Sequence, residues 1–592
     1  MRGADFHAAL ARLRARLFAL RLPEGHWEGR LASSALATAT ASFALALLDR
    51  GRHEGRIARG LAWIAAHGNA DGGWGDTTAS KSNVSTTALC WAALGAGGGE
   101  SCAAAARRAE EWLAARAGGR DAGALARALA ERYGEDRTFA VPILTMCALA
   151  GRLGPDGWRV VPTLPFELAA LPRGLFRFLR LSVVSYALPA LIAMGQVRDA
   201  HLPAASAVRR ALRAALGRWT RAVLERMQPS SGGYLEAAPL TAFVAMSLAG
   251  AGRGDASVAR RAEAFLVAGQ REDGSWAIDS NLAMWVTTLA VNALGTEPAA
   301  WAAGEPGARA RTLDWILAGQ HREPHPYTGA APGGWAWTDL PGGVPDADDT
   351  AGALLALRQL DPTALRTRAA GALGIRWLLA LQNADGGMPT FCRGWGRLPF
   401  DRGGADLTAH ALRAWSAWLP ALPSWRGRLE RAIARALRYL EGAQRSDGAW
   451  VPLWFGNEDA PGGENPTYGT ARVVTALAAL DSPGKAREMC LRGAKWLQAA
   501  QHPDGGFGGA PGVAPTFEET AVAGGALAEA ARAAPELAAA ALRAGMWLAA
   551  RAEEERPPAA IGLYFARLWY HEDAYPLVFA ADALAKMQRP WG

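Results

Sequence analysis

Along most of the chain Leu, Ala, Val and Trp fall at intervals of three and four residues, with Arg, Glu and other polar residues between them. That spacing lays apolar side chains along one face of a helix, and no stretch sustains the alternation of a half-buried strand. The pattern predicts an all-α protein. A longer repeat is superposed on it: a helix with an aromatic near its end, then Gln, then a turn containing Asp-Gly and usually a second aromatic. It reads "RRAEAFLVAGQREDGSW" (260–276), "GIRWLLALQNADGGM" (374–388), "ARALRYLEGAQRSDGAW" (434–450) and "GAKWLQAAQHPDGGF" (493–507). An earlier copy (60–74) has Gly68 where Gln is expected, and a longer variant (312–320) runs on to "PGGWAW". Gln270, Gln320, Gln382, Gln444 and Gln501 lie 50, 62, 62 and 57 residues apart. Each interval has room for two helices, which predicts stacked helical hairpins. A Gln side chain can bond backbone groups at its own helix end and on a neighbour, and Gly permits the Asp-Gly corner. The repeat residues are therefore assigned a structural duty and no chemistry.

The length of 592 residues exceeds what one core usually fills, so two domains are expected. Half of the residues are hydrophobic and a fifth are charged, which excludes a disordered chain. The net charge of +8 does not point to nucleic acid, because 59 of the 63 basic residues are Arg scattered through Ala-rich helices rather than gathered in a stripe. Cys90, Cys102, Cys147, Cys392 and Cys490 stand far apart, without a zinc-knuckle or disulfide pattern. The N-terminal stretch reads as an amphipathic helix rather than a signal peptide. The longest apolar run, 181–195, is too short to span a bilayer and contains Pro189.

One segment carries candidate chemistry. "GGVPDADDTAGALLAL" (342–357) places Asp346, Asp348 and Asp349 within four positions ahead of an apolar helix. A single Asp would serve to cap that helix. Three together repel one another, and crowding with burial holds a carboxyl group protonated at neutral pH. A neutral, strong carboxylic acid is what protonation of an isolated alkene demands, and the resulting cation must meet aromatic faces rather than lone pairs. Twenty-four Trp residues supply such faces.

The Gln repeats and this D-x-D-D-T motif together resemble the squalene-hopene cyclase family of class II terpene cyclases over nearly the whole length. Further matching segments are "NLAMWVTTLAVNALG" (281–295), "GGWAWTDLPGGVPDADDT" (333–350), "ADLTAHALRAW" (405–415), "DGAWVPLWFGNE" (447–458) and "NPTYGT" (465–470). The resemblance implies two α-α barrels: residues 1–30 with 290–592 forming one that carries the acid motif, and 31–289 a second inserted between its parts. It implies cyclisation of a long polyprenyl chain such as squalene, with no cofactor, metal or diphosphate required. Position by position it makes Asp348 the proton donor flanked by Asp346 and Asp349, with His410 and Asp406 supporting it. Trp285, Trp337, Phe391 and Trp454 become cavity aromatics, and Tyr468 a polar neighbour of the acid. A Trp in such helices is more often core, and a lone His410 would ordinarily be a satisfied core histidine; the matching segments lift them above that.

There are departures from the family pattern. "SSALATATASFALALL" (33–48) lacks an expected carboxylate, "IGLYFARLWYHEDAYP" (561–576) carries Arg567 and an extra residue before Pro576, and the stretch between Trp454 and Tyr468 is long. These regions bear on late rings and the terminating cation, so the reaction class is fixed more firmly than the product. Two rival readings stand: a class II cyclase of a prenyl diphosphate or prenylated aromatic, which would need a basic anchor, and a non-catalytic lipid-binding α-α barrel. The implied partners are a lipid-like isoprenoid and a membrane surface, with no nucleic acid and with room for a homodimer. Residues 171–195 and 208–227, which mix Arg with large apolar side chains, are the segments expected to lie on the cytoplasmic face of a membrane as a peripheral, monotopic attachment.

Overall fold

A computed structural model describes residues 4–134, 137–171, 188–203, 206–296, 298–301, 304–326, 328–391, 393, 400–480, 484–554, 558–563 and 567–588. Buried side chains sort into two large cores. One gathers Phe6 to Leu31 with Leu282 to Met587, the other Ala35 to Trp276. A smaller cluster that includes Ile192, Tyr234, Val344, Phe391 and Phe400 lies beside them.

In the first core six helices form an inner ring: Ala283–Leu294, Ala347–Leu360, Ala405–Trp418, Pro466–Ala478, Phe517–Ala530 and Tyr575–Met587. Each packs on the next, and the last packs back on the first. Outside them stand Ala308–Ala318, Leu365–Leu381, Arg426–Ala443, Lys485–Ala500, Ala538–Ala550 and, from the opposite end of the sequence, Ala4–Ala19. In the second core a smaller ring closes through Ala35–Ala66, Val84–Leu94, Arg137–Leu149, Leu188–His201 and Ala238–Gly250. The fold is all-α, built as two α-α barrels. The difference between inner and outer helices follows from sequence: Ala283–Leu294 is apolar on all sides and buries eleven residues, whereas Arg426–Ala443 buries only the stripe Leu429, Ala432, Ala436 and Leu440.

The repeat glutamines act as clamps. Gln382 Nε2 donates to the carbonyl of Gly386 in its own turn and to that of Ala432 in the next outer helix, at 2.9 and 3.0 Å. Gln270, Gln320, Gln444 and Gln501 do the same with their counterparts. Gly386 sits at φ +97°, where a Cβ would lie 2.3 Å from the Arg435 carbonyl oxygen, so the turn requires glycine. Gln228 makes a sixth such clamp, to Gly232 and Val258. It escapes the sequence pattern because Pro-Ser-Ser-Gly replaces the Asp-Gly corner.

The repeat also fixes a register. The hydroxyl of a Thr near the start of an inner helix accepts from the backbone N–H of the residue ending the turn before it: Thr87 from Trp74, Thr350 from Trp335, Thr408 from Met388, Thr470 from Trp450, Thr520 from Phe507. The described residues also contain a short antiparallel ribbon, Ile561–Leu563 with Leu568–Tyr570. Strands of three residues are too short to leave an alternation in the sequence.

Candidate active site

Residues from both cores line one cavity of about 320 Å³. Several inner helices present their N-terminal turns to it, and in five of them the side chain two positions before the register Thr reaches the cavity. Leu36, Ser85, Pro239, Trp285 and Asp348 each stand two positions before Thr38, Thr87, Thr241, Thr287 and Thr350, and all five line the cavity.

Asp346 is the N-cap of Ala347–Leu360: extended at φ −135°, ψ 171°, it accepts the Asp349 N–H at 2.9 Å and is held by backbone pairing with Trp335. That conformation places Asp348 and Asp349 in the first helical turn. All three carboxyls border the cavity. Burial, the first cause in each case, pushes Asp346 up to about 7 and, with the charges of Asp346 and Asp348, holds Asp349 well above the carboxylate range. Asp349 Oδ1 has no partner among the described residues.

Asp348 differs from its neighbours, and the expectation that crowding holds the donor itself protonated is not met: crowding and burial raise Asp346 and Asp349 instead. His410 Nδ1 lies 2.7 Å from its Oδ1. Burial works to raise the Asp348 carboxyl, but the charge and hydrogen bond of His410, with Arg472 beyond, together hold it below its ordinary value. Burial also pulls His410 below the ordinary imidazole value, and Asp348 opposes this only in part. Asp348 is the strongest acid of the three. Once loaded with a proton it gives it up readily, because the anion left behind has a partner in place. Asp349, held well above the carboxylate range, keeps its proton beside it.

The aromatic residues surround this acid. Trp285, whose helix begins with Met284 and Trp285 N–H groups bonded to the Trp337 carbonyl, stacks near Phe455 with centroids 5.7 Å apart and meets Tyr575 and Phe579. Phe391 packs against Trp337, Phe400 and Trp454. Trp454 Nε1 donates to Thr390 Oγ1 at 2.7 Å, fixing the ring. Trp285, Trp337, Phe391 and Trp454 all line the cavity. Tyr468 stands behind Phe455, centroids 4.7 Å apart, with the Arg472 guanidinium 5.7 Å over its ring. Asp406 accepts the Leu453 N–H at 3.1 Å, so its hydrogen bond holds the segment carrying Trp454, and burial pushes it up to about 6.

Several lining residues were not singled out from sequence: Phe400 and Phe455 from the six-helix barrel, and Asp76, Ser85, Tyr133 and Phe243 from the other. The position two before the repeat Thr would have found Ser85. The others reach the cavity only through packing between the barrels. Cys90, Cys102, Cys147 and Cys490 are buried free thiols. Cys392 lies outside the described residues.

Residues 10–200 match the squalene-hopene cyclase N-terminal domain and 281–556 the squalene-hopene cyclase C-terminal domain. The chain belongs to the squalene-hopene cyclase family. It is 31% identical over 261 residues to enfumafungin synthase of Hormonema carpetanum, covering 40% of this chain and 19% of that one. Over 235 residues it is 31% identical to squalene–hopene cyclase of Alicyclobacillus acidocaldarius, covering 35% and 33%. Over 194 residues it is 34% identical to drimenyl diphosphate synthase of Streptomyces showdoensis, covering 32% of each. The chain thus spans a fifth to a third of the length of these relatives. The fold is shared with ent-copalyl diphosphate synthase from Streptomyces platensis over 99% of both chains, with a TM-score of 0.59 at 21% identity.

Proposed function

We propose that the protein is a class II terpene cyclase that protonates a linear isoprenoid, squalene or a similar polyprenyl chain, and guides the carbocation to a polycyclic product. The observation that carries this reading is the placement of Asp348, paired to His410 at 2.7 Å, in the wall of a cavity lined by Trp285, Trp337, Phe391 and Trp454. Asp348 delivers the proton, His410 stabilises the carboxylate that remains, and the aromatic faces stabilise the cation by about 0.5 to 2 kcal/mol each.

The likeness to two diphosphate synthases gives the rival reading its force. The electrostatics of the cavity favour an uncharged substrate. Its described lining holds five carboxyls, Asp76, Asp279, Asp346, Asp348 and Asp349, against one guanidinium, Arg567. Incubation with squalene and, separately, with geranylgeranyl diphosphate, followed by chromatography of the extracts, tests the choice. Cyclised hydrocarbon or alcohol from squalene supports the reading. Turnover of the diphosphate alone overturns it in favour of the rival, and turnover of neither leaves a binding protein.

A peripheral membrane association follows from the same substrate. On Ala207–Met227, Val208, Leu212 and Trp219 are 80%, 46% and 53% exposed on a helix that also carries Arg209, Arg210 and Arg218, and Leu168 and Leu171 are exposed on the segment beside it. An apolar strip flanked by arginines suits an interface with anionic lipid. The adjoining stretch 172–187 lies outside the described residues, and no described helix is long and apolar enough to cross a membrane. Co-sedimentation with anionic vesicles is expected for the wild type and should weaken for a Val208→Glu, Trp219→Glu variant; a wild type that stays in the supernatant overturns this part of the proposal.

A further inference from the structure

A cyclisation begun by a donated proton ends, for a neutral alkene product, when a proton is taken back. The acids of the cavity wall fall into two sets. Asp346, Asp348 and Asp349 form the initiating turn. Of the others, Asp279 is pushed well up by burial, with Glu236 adding to it, and so holds its own proton.

Asp76 differs in every contact. It lies between Ala35–Ala66 and Val84–Leu94, on the wall supplied by the five-helix ring, and is 1% exposed. Its Oδ1 accepts from Asn83 Nδ2 at 2.9 Å and from the Thr86 hydroxyl; its Oδ2 accepts the Trp569 N–H at 2.9 Å. Three donors converge on this one carboxyl, two on Oδ1 and one on Oδ2. Ser85 and Tyr133, hydroxyls 2.7 Å apart, line the cavity on the same side. Here, apart from the initiating turn, a carboxyl with donors on both oxygens meets the cavity, and its Oδ2, with a single donor, keeps a lone pair free.

We propose that Asp76 is the base that ends the reaction, an inference that rests on the cyclase reading above. A C–H bond next to the final cationic carbon breaks, its electron pair becomes the π bond of the product, and the proton goes to the free lone pair of Asp76 Oδ2. Nothing is oxidised or reduced, and the proton collected equals the one that Asp348 delivers. Since Asp348 stands on the six-helix ring and Asp76 on the five-helix ring, donor and acceptor are separate groups, and the position of Asp76 selects which hydrogen is lost.

The test compares product ratios from squalene for the wild type, Asp76→Asn and Thr86→Val. Asn keeps the shape and one acceptor oxygen but takes up no proton. With Asp348 intact, Asp76→Asn should still consume squalene, while the share of the main alkene falls roughly tenfold or more in favour of other alkenes and alcohols, since a positioned base contributes about 10²- to 10⁴-fold. Thr86→Val removes one hydrogen bond to Asp76 and leaves the base, so its ratio should move far less than that of Asp76→Asn. An unchanged ratio in Asp76→Asn, or the same altered ratio in Thr86→Val, overturns the proposal. Should Asp76→Asn not fold, Asp76→Glu reads the same point: a base displaced by one methylene moves the double bond, and an unchanged ratio overturns the assignment. A wild type that cyclises no polyprene overturns the functional reading and this inference with it.

Discussion

Twice in the six-helix ring the chain opens an inner helix with a side-chain cap, two acids and a threonine: Asp346-Ala347-Asp348-Asp349-Thr350 and Thr516-Phe517-Glu518-Glu519-Thr520. The local construction is the same. Asp346 and Thr516 cap the N–H of Asp349 and Glu519, Thr350 and Thr520 accept from Trp335 and Phe507, and Asp346 and Thr516 pair with those same two residues. What surrounds the acids is not. Asp348 meets His410 and the cavity. Glu518 accepts the Ala559 N–H at 2.8 Å, and Glu519 Oε1 accepts both Asn457 and Asn465 at 3.0 Å, so the second pair fastens loops. Crowded acids at a helix mouth recur with the repeat. Only at Asp348 do a cavity and an imidazole stand beside them.

Exchanging the acids for amides breaks this comparison most sharply. Asp348→Asn should lower turnover by about 10²- to 10⁴-fold while its melting temperature stays near that of the wild type, and Glu518→Gln should retain turnover within about threefold. Wild-type turnover by Asp348→Asn, which an Asn serving only the helix would allow, sinks the assignment.

The next effect belongs to the loop-fastening pair. Glu519→Ala strands the buried Asn457 amide, while Asn465 keeps the Gly456 carbonyl, so chemical denaturation should show a loss of about 1 to 3 kcal/mol with product ratios preserved. A stability within experimental error of the wild type would deny Glu519 its role as a lock.

The smallest effect is a slope against pH. Burial, reinforced by Glu519, pushes Glu518 from 4.5 up to about 7. The folded state therefore holds a proton that the unfolded chain has released, and the associated stability is present below about 4.5 and is lost as pH rises towards 7. Glu518→Gln should flatten the fall in stability across that window by up to about 3 kcal/mol, since each tenfold gain in proton affinity on folding is worth about 1.4 kcal/mol. Glu572 and Asp346, also raised to about 7, leave the variant part of the slope. Parallel curves for variant and wild type would show that Glu518 is ionised in the folded protein.

Much of this was legible in the sequence because the repeat is local. The Gln at each helix end, the glycine of each corner and the acid cap lie within some twenty residues of their own turn, where spacing speaks directly. The match of D-x-D-D-T with the segment around His410 pointed to two groups that the fold brings to 2.7 Å. What spacing could not supply was the direction of long-range contacts. Asp406 and Tyr468 occupy the same register position as Asp348, yet Asp406 bonds Leu453 and Tyr468 is screened by Phe455. The wall from the five-helix ring, with Asp76, Tyr133 and Phe243, depends on how the barrels meet, which no periodicity records.

Ring closure has a consequence for the order in which the chain is made. Ala4–Ala19 is made before the surfaces it covers, Ala538–Ala550 and Tyr575–Met587. An open solenoid can settle unit by unit behind its leading end. Here the six-helix barrel has a seam whose two sides stand far apart in the chain, with the whole of the other barrel between them. The residues on that seam, Phe6, Leu10, Leu13 and Leu17 against Trp547, Leu584 and Met587, stay uncovered longest. Until they meet, the wall that carries Asp348 has no closed ring behind it.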